Sequence, residues 1–248
     1  MKKENPILSI RSLTKDYGGV RALNNIDLDI YEGELLFIVG DNGAGKSTLI
    51  NILSGAVAAN PGYEILFEGN SVHINTPREA QKLGIYTVYQ DLSLCNELNA
   101  FQNIFLGNEV TKHTRLNHEE MERRTRDLFE EIGSNVPNPQ AAVGTRSGGQ
   151  RQAIAIAKSL LLPSKVVLMD EPTAALGVIQ RKQVSKLTRS LRDSGHAVVV
   201  VSQDLGEVVK SADRVIVFRI GEIESILEGG TFTRDDLVAH ITGIHSAE

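Results

Sequence analysis

The stretch LLFIVGDNGAGKSTLINILSG, residues 35–55, decides how the rest of the chain is read. Its apolar first part reads as a buried strand, and Lys46–Leu53 carries a helical pattern. Between them Gly40, Gly45, Lys46 and Ser47 occupy the fixed places of GxxxxGK[ST]. Glycines let the backbone curl so that successive N–H groups turn inward on phosphate oxygens, and the following helix adds the positive end of its dipole. Gly40, Asp41, Asn42, Gly43, Ala44, Gly45, Lys46, Ser47 and Thr48 are therefore candidates for holding a nucleotide. Lys46 is placed for the β and γ phosphates, and the Ser47 hydroxyl for Mg2+.

Working outward, short apolar runs recur, each ending at a polar or glycine cluster: LLFIV before Gly40, IYTVY before Gln90, VVLM before Asp170 and AVVVV before Ser202. They read as buried parallel strands. Helical patterns lie between them, at residues 46–53, 149–162 and 180–193. The alternation predicts an α/β fold with a mostly parallel sheet covered on both faces, where ligands gather beyond the carboxyl ends of the strands. The first 32 residues alternate apolar and polar and predict an N-terminal antiparallel β part. From about Leu92 to Ala157 helical signals dominate, which predicts a helical subdomain inserted in the core of one domain spanning residues 1–248 and reached through PNPQ at residues 137–140. Within it Asn117 is a helix cap with Glu120 at the third helical position, and Met121, Leu128, Phe129 and Ile132 form an apolar stripe.

Composition narrows the function. With 41% hydrophobic and 23% charged residues the chain is that of an ordinary globular protein. A net charge of -5 argues against a broad nucleic-acid surface, which demands clustered Lys and Arg. The start MKKENPILSI lacks an apolar export segment, and no run of about 18 apolar residues occurs, so the chain is expected to be neither exported nor membrane-spanning. The single cysteine, Cys95, forms no internal disulfide, fits a reducing cytoplasm and reads as a small semi-apolar filler.

A phosphate loop needs a second metal site, and VVLMDEP supplies one at the end of another strand. Asp170 is placed to hold Mg2+ or its water, and Glu171 to polarise the attacking water. Before it comes RSGGQRQAIAIAKSLLL, in which Ser147, Gly148, Gly149 and Gln150 open a helix free of bulky side chains, a second phosphate surface. One chain with one phosphate loop has no use for it. Two facing chains do, the SGGQ of one closing over the γ-phosphate held by the other.

In the order phosphate loop, Gln90, SGGQ, Asp170–Glu171, the chain resembles the ATP-binding cassette family of P-loop NTPases, over nearly its whole length. The resemblance implies that Tyr17 of DYGGVRAL stacks on adenine, that Gln90 of VYQD contacts Mg2+ and the attacking water, and that Glu171 is the catalytic base. It is closer still to ATPase subunits of monosaccharide importers, in LGIYTVYQDLSLCNELNAFQNIFLGNE, SGGQRQAIAIAKSLL and DEPTAALGV. That implies hydrolysis of ATP with Mg2+ beneath a transmembrane permease at the cytoplasmic face of the membrane. A second cassette, identical or different, and indirectly a sugar-binding protein complete the set, with no nucleic acid. Gln90 and the residues just after it, Asp91 to Asn96, are expected to receive the permease's coupling helix, with Leu94 and Leu98 either on the side that faces it or core leucines.

Three residues depart from the family pattern. Arg146 precedes SGGQ where leucine is usual, Gly177 stands where many relatives carry aspartate, and Gln203 of VVVVSQD replaces the switch histidine that contacts the γ-phosphate. Gln203 can donate through its amide but cannot become cationic, so normal ATP binding with reduced hydrolysis is expected, and a weakened regulatory cassette paired with another ATPase subunit stays as the alternative. A chromosome-organising ATPase would carry a long coiled coil between phosphate loop and SGGQ, where this chain has about 100 residues without sustained heptads. A GTPase would carry a base-reading NKxD, which the chain lacks.

Overall fold

The computed structural model describes residues 5–134, 138, 140–174 and 176–244. The chain opens with an antiparallel pair, β1 (Leu8–Tyr17) and β2 (Val20–Ile30), followed by β3 (Leu35–Gly40) and α1 (Lys46–Leu53). β4 (Glu64–Phe67) and β5 (Asn70–Ser71) join the first pair in a sheet of order β2-β1-β4-β5. α2 (Pro77–Leu83), capped by the Thr76 side chain, leads into β6 (Ile85–Val88). Next come α3 (Ala100–Phe105), a two-stranded ribbon of β7 (Thr111–Lys112) and β8 (Arg115–Leu116), α4 (His118–Glu131), a 3-10 turn at Val143–Thr145 and α5 (Gly148–Ser159). The last third runs β9 (Val166–Asp170), α6 (Val178–Asp193), β10 (Ala197–Val201), α7 (Leu205–Ser211), β11 (Arg214–Arg219), β12 (Glu222–Glu228) and α8 (Arg234–Thr242).

The main sheet has the order β12-β11-β3-β10-β9-β6, parallel apart from β12. All four apolar runs are strands of this one sheet. Their unbroken hydrophobicity follows from burial on both faces. Leu35, Phe37 and Val39 of β3, with Val167 and Met169 of β9, join a core that includes Phe101, Ile154, Leu187 and Leu237 from the helices. The intervening Leu36, Ile38 and Leu168 join a second core with Leu49 and Ile50 of α1 and Leu8, Ile10 and Leu28 of the antiparallel sheet. Each strand thus divides its side chains, by the two-residue period, between two cores.

The segment expected to be dominated by helices is more varied than its sequence suggests. Residues 92–99 form no helix, and the β7–β8 ribbon turns at His113, whose φ of 59° is left-handed. α5 begins at Gly148 and stops at Ser159, three residues short of the expected end, ahead of Pro163. Asn117 caps α4 by accepting the Glu120 N–H at 3.2 Å, and Met121, Phe129 and Ile132 are buried, with Leu128 packed beside them. Of the PNPQ connection, Pro137 and Pro139 lie outside the described residues. Gln140, its last residue, donates to Glu122 at 2.9 Å. Two further strands, β11 and β12, carry the sheet on past β3, beyond the four that the apolar runs predict.

Gly40 ends β3 opposite Phe218 of β11, at φ 150°. A Cβ there would stand 2.2 Å from the Phe218 carbonyl oxygen, whereas a Cβ at Gly43, φ 80°, would meet nothing within 4 Å. Gly40→Ala must therefore spread two core strands, at a cost of about 1–3 kcal/mol beyond the φ strain that both positions share. In urea unfolding Gly40→Ala is expected to lose clearly more stability than Gly43→Ala; equal losses would contradict the close-approach account.

Candidate nucleotide site

α1 starts directly from the glycine-rich turn. Its N-cap, Gly45, has φ 104°, and a Cβ there would lie 2.4 Å from the Ala22 carbonyl oxygen. Side chains cap α2, α3, α4, α5, α7 and α8, whereas α1 and α6 each start from a glycine without a side-chain cap. The first-turn N–H groups of α1 are thus left for another acceptor, and an anion such as phosphate fits them. Within the loop, Asn42 N–H donates to the Asp41 carboxylate at 2.8 Å and Ala44 N–H to the Asp41 carbonyl at 3.2 Å.

Lys46 is 5% exposed, and its ammonium donates to the carbonyls of Gly40 at 2.9 Å and Asp41 at 2.8 Å, drawing the loop closed. Burial pushes its pKa below the ordinary lysine value, against the opposing pull of Glu171, Asp170 and Asp41. The Ser47 hydroxyl donates to Asp170 at 3.1 Å, across 123 residues of chain. Asp170, 9% exposed, is pushed above the usual carboxylate range by burial, with the Ser47 bond working the other way. A hydroxyl and a desolvated carboxylate side by side are hard oxygen donors of the kind Mg2+ takes beside phosphate and water, so the pair fits that ion.

Glu171 follows Asp170 with φ 46°, a left-handed conformation uncommon for a residue with a side chain. Its N–H extends the β9–β10 ladder to the Val201 carbonyl at 3.0 Å, and its Oε1 accepts from the Gln203 amide at 2.6 Å. The same Gln203 nitrogen donates to Asn42 Oδ1 at 3.1 Å. Gln90, exposed just beyond β6, shares with Glu171, Gly148 and Gln180 a cleft of about 410 Å3. It is not hydrogen-bonded to the Ser47–Asp170 pair.

Tyr17 ends β1 47% exposed, with the Lys15 ammonium 4.9 Å from its ring centroid, so it presents an aromatic surface rather than a packed one. Beside it, a hydrogen bond from Arg21 holds the Asp16 carboxyl below its usual range.

At the start of α5, Ser147 accepts the Gln150 N–H at 3.3 Å while the Gln150 side chain accepts the Ser147 N–H at 3.2 Å. The two glycines have an internal reason as well: a Cβ on Gly148 would lie 2.5 Å from Leu176, and one on Gly149 2.6 Å from Gln183. Side chains at these two positions would have to displace the ends of Leu176 and Gln183 and press on Gln180. Arg146, just ahead, donates to the carbonyls of Asn138 and Ala141, tying the incoming segment to the helix start. Gly177, in turn, is the N-cap of α6.

Beyond the expected residues, Arg181 and Asp204, 3.3 Å apart, line with Glu171, Gln203 and Arg234 a second cleft of about 430 Å3. The pattern D-x-x-E at residues 204–207, a helix start with Asp204 capping α7, was the available sign of Asp204. Leu94 is half-buried against the core and lines the first cleft; Leu98 is half-buried too.

Among solved structures, a nucleotide-free ATP-binding cassette from an ABC transporter superposes with a TM-score of 0.85 at 23% identity, covering 98% of this chain and all of the other. The dimeric structure of MJ0796, a bacterial ABC transporter cassette, gives 0.76 at 27% identity over 91% of this chain and all of the other. Fructose import ATP-binding protein FrcA of Rhizobium meliloti is 42% identical over 97% of this chain and 95% of its own length. Xylose/arabinose import ATP-binding protein XylG of Sulfolobus acidocaldarius is 41% identical over 88% of this chain and 86% of its own. Since the ABC transporter sequence model also matches residues 23–174, more than half of the length, the chain belongs to the ABC transporter family.

Proposed function

We propose that the chain binds and hydrolyses ATP to energise a sugar importer. The observation that carries the reading is the end of β9, where two adjacent carboxylates have different partners, Asp170 the Ser47 hydroxyl and Glu171 the Gln203 amide. One suits a metal and the other a water. The relatives named as fructose and xylose/arabinose import ATP-binding proteins, similar over nearly the whole chain, support a sugar as cargo.

In this reading the first-turn N–H groups of α1 and Lys46 bind the β and γ phosphates, and Tyr17 offers its exposed ring to the adenine. Ser47 and Asp170, with Gln90, would hold Mg2+, an ion that would supply neutralisation of charge on the phosphate oxygens. Glu171 accepts a proton from a water molecule as the water oxygen forms a bond to the γ phosphorus. The bond from that phosphorus to the β–γ bridging oxygen breaks, leaving ADP and inorganic phosphate.

A second cassette supplies Ser147, Gly148, Gly149 and Gln150 to the opposite nucleotide, a pairing supported by the dimeric form of the related cassette MJ0796. The force is delivered to a transmembrane permease through the segment from Gln90 to Asn96, and a sugar-binding protein presents the cargo to that permease. Among the described residues no helix is long and apolar enough to cross a membrane. In this reading the permease holds the chain peripherally at the cytoplasmic face.

Lys46→Ala is expected to abolish measurable Mg-ATP binding by calorimetry. Glu171→Gln is expected to keep binding and lower turnover by about 10²–10⁴-fold, the usual worth of a general base; undiminished turnover would remove Glu171 from that role.

Asp170 sets ligand binding against stability. Its raised pKa means that the folded chain holds the proton more tightly than the unfolded chain, so ionisation costs stability once pH rises through the folded value. At neutral pH Asp170→Asn is expected to raise the thermal midpoint, by about 2–4 °C per kcal/mol recovered, while Mg-dependent turnover collapses. A lowered midpoint would show instead that the charged form is held by its partners.

A further inference from the structure

Gln203 lies two residues past the end of β10, and β10 lies between β3 and β9 in the sheet. Its side-chain nitrogen reaches the loop after each neighbour: Asn42 Oδ1 at 3.1 Å on the β3 side and Glu171 Oε1 at 2.6 Å on the β9 side. The polarity of the chain of contacts follows from chemistry. An ionised carboxylate only accepts, so the Gln203 atom facing it is the NH2, and the second hydrogen of that NH2 requires an acceptor, which is the Asn42 carbonyl oxygen.

Both outer members are themselves held. Asn42 is tethered through its backbone N–H to the Asp41 carboxylate at 2.8 Å, and Glu171 through its N–H to the Val201 carbonyl at 3.0 Å. Glu171 Oε1 is therefore fixed by Gln203, and Oε2 remains to accept a proton.

We propose that Asn42, Gln203 and Glu171 form one side-chain bridge that positions the carboxylate against the phosphate loop, with Asn42 a positioning residue acting through Gln203. The inference rests on Glu171 being the base of ATP hydrolysis, and it revises the expectation that glutamine at 203 is a weakened histidine. One amide nitrogen offers two hydrogens to two acceptors in the loops that follow neighbouring strands. A neutral imidazole offers one N–H and one acceptor nitrogen, so His at 203 keeps both contacts only with the Asn42 amide turned over. The site is built around glutamine.

The test uses the full chain with Mg-ATP. Asn42→Ala is expected to lower kcat by about three- to tenfold, the worth of one hydrogen bond, with KM for ATP within about twofold of the parent, because the loop grips phosphate through backbone N–H groups that the substitution leaves in place. Gln203→Ala lowers kcat by at least as much, and adding Asn42→Ala to it causes no further loss. Gln203→His leaves kcat lower as well. Additive losses, a change confined to KM, or faster turnover by Gln203→His would each overturn the bridge.

A second measurement is independent of turnover. The Gln203 side-chain amide resonance in 15N-labelled chain, assigned by its loss in Gln203→Ala, is expected to shift in both Asn42→Ala and Glu171→Ala. If it moves in neither, the bridge does not exist, whether or not the chain hydrolyses ATP. If the parent shows no ATP turnover while the resonance responds to both substitutions, the bridge stands and the assignment of Glu171 as the base falls.

Discussion

Burial of β3, β9 and β10 on both faces is the constraint from which the site follows. A strand covered above and below cannot slide by one residue without moving every side chain from one core to the other. Here the two cores differ in their partners, helices on one side and the antiparallel sheet with α1 on the other. The register is accordingly specified: Val201 pairs with Ile38 on one flank and with Asp170 on the other. The carboxyl ends of three strands are brought level, and the polar residues just beyond them meet.

Polar groups at that edge settle their own balance locally. Lys46 is buried in the loop it serves, with carbonyl acceptors from Gly40 and Asp41. Asp170 is desolvated beside a single hydroxyl partner, a poor arrangement for an isolated anion and a good one for a ligand of a cation. The left-handed Glu171 is a similar compromise, since local backbone preference yields to a position that the β9–β10 ladder and Gln203 together determine.

The second phosphate surface follows a different logic. Gly148 and Gly149 lie against the ends of the Leu176 and Gln183 side chains, which occupy the space their own side chains would take. Ser147 and Gln150 close the helix start by reciprocal bonds. Close packing within the chain and access for a partner's nucleotide therefore ask for the same residues, and a sequence pattern alone does not separate the two demands.

What the sequence determined by itself was local or periodic. The loop at residues 40–48, the four apolar strands, the Asn117 cap and the Ser147–Gln150 helix start each depend on residues within a few positions of one another, because glycine dihedrals, caps and side-chain periodicity act over that range. The tertiary structure decided what crosses the chain. That Asn42 meets Gln203, 161 residues away, that Ser47 meets Asp170, and that each strand splits its apolar residues between two cores all depend on strand order. β11 carries the same kind of unbroken apolar run, at residues 215–218, and only the strand order places it beyond β3.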